Sequence, residues 1–159
     1  MAFPLVNKQT LSTTASPAAV WRAFTRVDLW PQALPTVISA KLEPAGAFAA
    51  DSHILTRATP GSAAADLDYR IVAAEPPRRL VLEIEEADYR ATTEYVIAGA
   101  PDAAGMTDVT VTATLEAHGL SQIVRFLLWH QRLTPFLSAS ARQRGQAFLD
   151  LAERIGDNG

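Results

Sequence analysis

The residues with most capacity for chemistry are His53 and Arg57, and then Tyr69, Tyr89, Thr93 and Tyr95. His53 and Arg57 sit four apart with Leu55 between them, so on a strand they share one face. Turned inward, they would form an acid/base and anion-binding pair, the catalytic candidates of a cyclase or hydrolase. Turned outward, with Ile54, Thr56 and Ala58 inside, they would be surface charges, and the strand's apolar content does not choose between the two. Tyr69, Tyr89, Thr93 and Tyr95 fall on the apolar parity of their strands. A phenol in a greasy wall donates a hydrogen bond to a carbonyl or phenol oxygen, or else packs in the core with its hydroxyl on backbone or water. The remaining signals are negative. No Gly-rich phosphate loop and no Gly-x-Ser-x-Gly elbow occurs. His53, His118 and His130 lack metal-ligand spacing, and no metal or cofactor is expected. Glu83, Glu85 and Glu86 read as a solvated edge.

These side chains need a sheet to carry them. Leu5 to Thr14 alternates loosely, as an outer strand does. Ser16 is a good N-cap and Pro17 a good first helical residue, ahead of Val20, Trp21 and Phe24 on one face. Asp28-Leu29-Trp30-Pro31 repeats the start signal and gives a second short helix ending near Pro35. Six strand patterns follow: Val37 to Leu42, His53 to Thr59, Asp68 to Ala73, Arg79 to Glu86, Tyr89 to Ala98 and Thr107 to Ala117. Their connectors are too short for crossover helices, so the sheet is an antiparallel meander. Leu80, Leu82 and Ile84, then Tyr89, Ala91, Tyr95 and Ile97, then Val109, Val111, Ala113 and Leu115 make one face apolar. Glu83, Glu85, Arg90, Glu94, Asp108 and Glu116 make the other face wet.

Beyond Gly119 the pattern is helical. One helix is expected over Leu120 to Leu133 and a second from Pro135 to Ile155, with Leu137, Ala141, Phe148, Ala152 and Ile155 as a stripe. The first is apolar nearly all round, with Phe126 and Trp129 on its second side. It is buried, a ligand lid, a homodimer contact or a membrane-touching patch, in that order of preference. A curved sheet under one covering helix leaves an apolar space between them. Trp30, Tyr69, Leu82, Tyr89, Thr93, Tyr95, Val111, Phe126, Trp129, Phe136, Leu137 and Ala141 are the expected lining.

Composition bounds the rest. The 159 residues make one domain, 1–159, and 29 of them are alanine. Net charge is −3, which argues against a nucleic-acid partner. No stretch approaches the roughly 20 apolar residues of a membrane span. Cysteine is absent and no leader is visible, so a cytoplasmic protein is expected.

The run Ala15-Ser16-Pro17-Ala18-Ala19-Val20-Trp21 resembles the opening of the START-like (SRPBCC) superfamily. Asp28-Leu29-Trp30-Pro31 is similar to its next segment. Tyr69-Arg70-Ile71-Val72 with Glu75-Pro76-Pro77-Arg78-Arg79-Leu80 is similar to its mid-sheet hairpin, and Leu133-Thr134-Pro135 to Ile155 to its closing helix. The likeness is strongest to the polyketide cyclase/dehydrase branch. It implies an α+β helix-grip fold: a curved antiparallel sheet of about seven strands around a long C-terminal helix, with two short helices after the first strand. It also implies a pocket for a hydrophobic or aromatic small molecule, lipid or polyketide-like, and leaves the reaction open. Ligand binding, a cyclase or dehydratase using the same cavity, and an interaction protein using the helix around Trp129 are the three expectations carried forward.

Overall fold

The computed structural model describes residues 4–46, 48–59, 64–87, 89–99, 105–117, 139 and 141–156. Strand β1 (Pro4–Thr13) leads into helix α1 (Pro17–Thr25), a 3-10 turn (Val27–Leu29) and helix α2 (Trp30–Ala33). Strands β2 (Val37–Glu43), β3 (His53–Ala58), β4 (Ala65–Glu75), β5 (Arg79–Glu85), β6 (Tyr89–Gly99) and β7 (Thr107–Ala117) follow. Residues 141–155 are helical and are called α3.

All seven strands form one antiparallel sheet in the order β1-β7-β6-β5-β4-β3-β2. Short hairpins join β2 through β7 in sequence order, as the short connectors require. β1 adds beside β7, Leu5 opposite Leu115 and Leu11 opposite Val109. Register shifts between Val37 and Ser39 and between Ile71 and Ala73 mark bulges, which bend the strands and curve the sheet.

The Ser16 side chain accepts a hydrogen bond from the Ala19 N–H at 3.1 Å and caps α1, and Pro17 occupies its first turn. The second start signal is weaker in fact as in pattern. Asp28 falls in the 3-10 turn, α2 begins only at Trp30, and no side chain caps either piece. α1 buries Ala19, Val20, Ala23 and Phe24 against the sheet.

The two faces of the sheet are chemically opposite. Ile54, Ile71, Leu80, Tyr95, Ile97, Val109 and Val111 are buried on the inner side. The outer side carries ion pairs between neighbouring strands: Arg57 to Asp66 at 3.1 Å, Arg70 to Glu83 at 3.1 Å, Arg79 to Glu94 at 2.7 Å, and Arg90 to Glu85. Glu83 and Glu85 therefore lie where alternation puts them.

α3 seals the inner face with Phe148, Leu149, Leu151 and Ala152. Leu149 and Leu151 widen the covered side beyond the narrow stripe read from sequence. Gly145 brings the helix close to the sheet: a Cβ there would stand 2.7 Å from Leu11 Cδ1 and 3.5 Å from Val111 Cγ2. The helix end is tied to the opposite end of the chain. The Thr13 hydroxyl donates to Glu153 Oε1 at 2.7 Å, the Thr14 N–H donates to the same oxygen at 3.3 Å, and Arg22 donates to the Gly156 carbonyl. Gly156, at φ +56°, takes the left-handed conformation that ends a helix.

Candidate functional site

Between strands β4, β5 and β6 and helix α3 lies a cavity of about 50 Å³. That is room for about three or four waters, about a third of the roughly 150 Å³ known to take a benzene ring, so a larger ligand occupies it together with its open side. Cross-strand register builds its floor. Leu82 stands opposite Thr93, and Ile84 opposite Ala91. Tyr69 on β4 stands opposite the fully buried Ile54, which fixes its inward direction. Tyr95 follows Thr93 on the same parity and is 2% exposed. Leu34, Trp30, Phe148 and Arg144 complete the wall.

The apolar part of that wall is an aromatic cluster. Trp30 meets Tyr69 edge-on with ring centres 5.9 Å apart and Phe148 at 5.4 Å. Phe24 stacks obliquely on Tyr95 at 4.5 Å and on Phe148 at 4.9 Å. These separations lie in the range where offset and edge contacts are favourable. The Trp30 indole N–H donates to the Phe24 carbonyl at 3.1 Å, which fixes the ring as a rigid side wall.

Among the described residues, the polar side chains in the wall are those of Tyr69, Thr93, Tyr95 and Arg144. Among the described residues, none of these four makes a hydrogen bond or ion pair with the protein. Burial pushes the Tyr95 phenol up to about 12, while the positive charge of Arg144 pulls the other way and Tyr69 adds a smaller upward push. The phenol is therefore a neutral donor throughout the physiological range. Tyr89 is also raised, by its partial burial and then by Glu86 and Tyr69. The arrangement can desolvate a ring and aim donors at an oxygen on it.

The sequence candidates fall into groups. Trp30, Tyr69, Leu82, Thr93 and Tyr95 line the cavity together. Val111 is buried one strand over, opposite Tyr95, as part of the core. Tyr89, at the start of β6, and Ala141, at the start of α3, are half-buried outside the cavity wall. Phe126, Trp129, Phe136 and Leu137, and the whole expected helix Leu120 to Leu133, lie outside the described residues.

The proposed catalytic pair is corrected. Ile54, Thr56 and Ala58 take the buried parity of β3, so His53 and Arg57 point to the outer face, 41% and 53% exposed. There His53 Nδ1 lies 2.7 Å from Asp68 Oδ1 and Arg57 pairs with Asp66. Neither reaches the cavity.

Arg144 was missed by the sequence reading, which placed charged residues opposite the apolar stripe. Its position carried a signal. It lies three residues after Ala141 and four before Phe148, on the same helical face as both. Among the described residues no group of three His, Cys, Asp or Glu side chains could hold a metal ion, and no helix is long and apolar enough to cross a membrane.

Solved structures share this architecture. One half of the di-domain aromatase/cyclase BexL from the BE-7585A biosynthetic pathway superimposes with a TM-score of 0.72 at 18% identity, over 97% of this chain. The chain spans 50% of the length of that protein. Truncated norcoclaurine synthase from Thalictrum flavum gives 0.70 at 10% identity, over 94% of each chain. Ara h 8.0201 gives 0.66 at 14% identity, over 93% of this chain and 99% of its own. At these identities the likeness establishes the fold, the START-like helix-grip. No curated protein matches the chain. The family model "Polyketide cyclase / dehydrase and lipid transport" matches residues 8–147. A match over so much of the sequence, with the sheet, early helices and closing helix all in place, makes the chain a member of the polyketide cyclase/dehydrase and lipid transport family.

Proposed function

We propose that the chain binds a small hydrophobic or aromatic molecule that carries at least one oxygen. The observation that supports this most directly is the cavity wall itself. Aromatic and aliphatic side chains surround a small space, and three hydroxyl-bearing residues line it with no hydrogen-bond partner for their side chains among the described residues. Apolar burial supplies affinity and the hydroxyls supply orientation. Hydroxyls left facing an apolar space gain most from a ligand that answers them. Family membership supports the same reading. The lack of cysteine suits a reducing, cytoplasmic setting for it.

A panel of phenols, aryl ketones and medium-chain lipids tests the reading by thermal shift. Ligands at about 100 times their Kd stabilise by roughly 2.7 kcal/mol, a rise of several degrees. A flat response across the whole panel sinks it.

A cyclase or dehydratase is the second reading. The Tyr95 side chain in the cavity wall favours it, its neutral phenol serving as a hydrogen-bond donor to a carbonyl oxygen in a folded polyketide. Product formation from a poly-β-ketone substrate, lost in Tyr95→Phe, is its test.

A further inference from the structure

We infer that Arg144 selects ligands bearing a carboxylate at one end of an aromatic body, with the carboxylate at the solvent side of the cavity and the ring inside. This rests on the ligand-binding reading above and narrows it to a chemical class.

The charge pattern of the cavity carries the inference. Among the described residues its wall holds one cation, Arg144, and no acidic side chain. Acids are not scarce in the chain, which has 17 Asp and Glu against 14 Lys and Arg. They are placed elsewhere. On the outer face Arg57, Arg70, Arg79 and Arg90 are each answered by a carboxylate. Arg144 has no such partner among the described residues. An arginine with no carboxylate partner among the described residues, beside a cavity lined by none of them, offers a planar fork of donors, which matches a carboxylate in two parallel hydrogen bonds.

Geometry gives the orientation. Arg144 is exposed while its neighbour one turn on, Phe148, is 2% exposed. One turn of α3 therefore runs from the solvent side of the cavity to its aromatic floor. A charged head beside Arg144 keeps contact with water and avoids the cost of full desolvation. The aromatic body then points from Arg144 toward Phe148, Trp30 and Tyr95, which line the same cavity. Arg144 and Tyr95 line the same cavity, so both ends of the site can act on one small ligand.

Isothermal titration of the intact chain with cinnamate and with its neutral isostere cinnamamide tests the assignment, on the unaltered protein, Arg144→Gln and Arg144→Lys. The unaltered protein should bind the acid at least about tenfold more tightly than the amide. Arg144→Gln should bring the two within about twofold by weakening the acid far more than the amide, and Arg144→Lys should fall between. Matching circular dichroism and melting temperature certify that each variant is folded. Equal binding of acid and amide by the unaltered protein overturns the carboxylate assignment and leaves the cavity reading standing. An undiminished preference for the acid in Arg144→Gln overturns the role of Arg144. Binding of neither probe overturns this inference, and the neutral panel described above then decides the cavity reading on its own.

Discussion

At the scale of single residues, Tyr95 concentrates the chemistry of the cavity. Its ring belongs to the core, against Phe24 and Phe148, while its hydroxyl faces the cavity. Tyr95→Phe keeps the ring and removes only the hydroxyl, so stability near pH 7 should change by less than about 0.5 kcal/mol. Ligand affinity should fall about three- to tenfold, read by titration against any binder from the panel; unchanged affinity would show that the phenol does not touch ligand. The same substitution has an alkaline signature. A phenol held above its ordinary value binds its proton more firmly folded than unfolded. Its contribution is complete below pH 10 and is lost as the pH climbs toward about 12. The unaltered protein should thus lose more stability over that window than Tyr95→Phe, by on the order of 1–3 kcal/mol. Parallel denaturation curves would contradict the burial of the phenol. The inward set on β4 to β6 was readable because period-two alternation with charged residues on the other parity has only one solution. His53 and Arg57 were not, since β3 alternates His, Leu and Arg against Ile, Thr and Ala, and both parities carry some apolar weight.

At the scale of elements, α3 shows what periodicity does and does not reveal. Its covered side was legible from Phe148 and Ala152. The inward place of Arg144 was obscured by reading charge as a mark of the solvent face, whereas an arginine on a covered face can reach a cavity and water together. Gly145 was readable as small, but its reason is positional: α3 crosses β1 and β7 there, and Leu11 occupies the space a side chain would need. Gly145→Val should cost about 1–3 kcal/mol by overpacking, despite the better helix propensity of valine. Calorimetry should show a melting temperature lower by roughly 3–10 °C. A variant as stable as the parent would mean that the helix can lift off the sheet freely. Such lifting would also change the width of the cavity one turn away.

For the whole molecule, three contacts join the end of α3 to the β1–α1 corner: Thr13 and Thr14 to Glu153, and Arg22 to the Gly156 carbonyl. The hydrogen bond from Thr13, and then that from the Thr14 backbone, hold the Glu153 carboxyl below its usual range. A lowered carboxyl adds stability that is present above its unfolded value and disappears as the pH falls through its folded value. Glu153→Gln should be less stable than the parent by about 0.5–1 kcal/mol at pH 7, the difference being modest because the carboxylate is largely exposed. Melting scans should converge as the pH drops through the acid range; a constant gap would assign the effect to shape rather than charge. None of this clamp could be read from sequence, because 140 residues separate Thr13 from Glu153. The composition was equally two-sided. Ala91, in the cavity wall, belongs to the same alanine excess as Ala45, Ala49 and Ala50 near turns, and only the fold distinguishes them.

The strand order has a consequence in time. β1 precedes the other strands, yet among the described residues its neighbour in the sheet is β7, with Leu11 opposite Val109. During synthesis, β2 through β6 can zip up hairpin by hairpin while β1 still has no edge to join. Closing that pair encloses α1 through β6 in one loop, a search that sets in late and slows folding relative to a plain meander. Until β7 arrives, Leu5 and Leu11 stay in water, so the newly made chain passes through a stage in which its leading segment is sticky and unpaired.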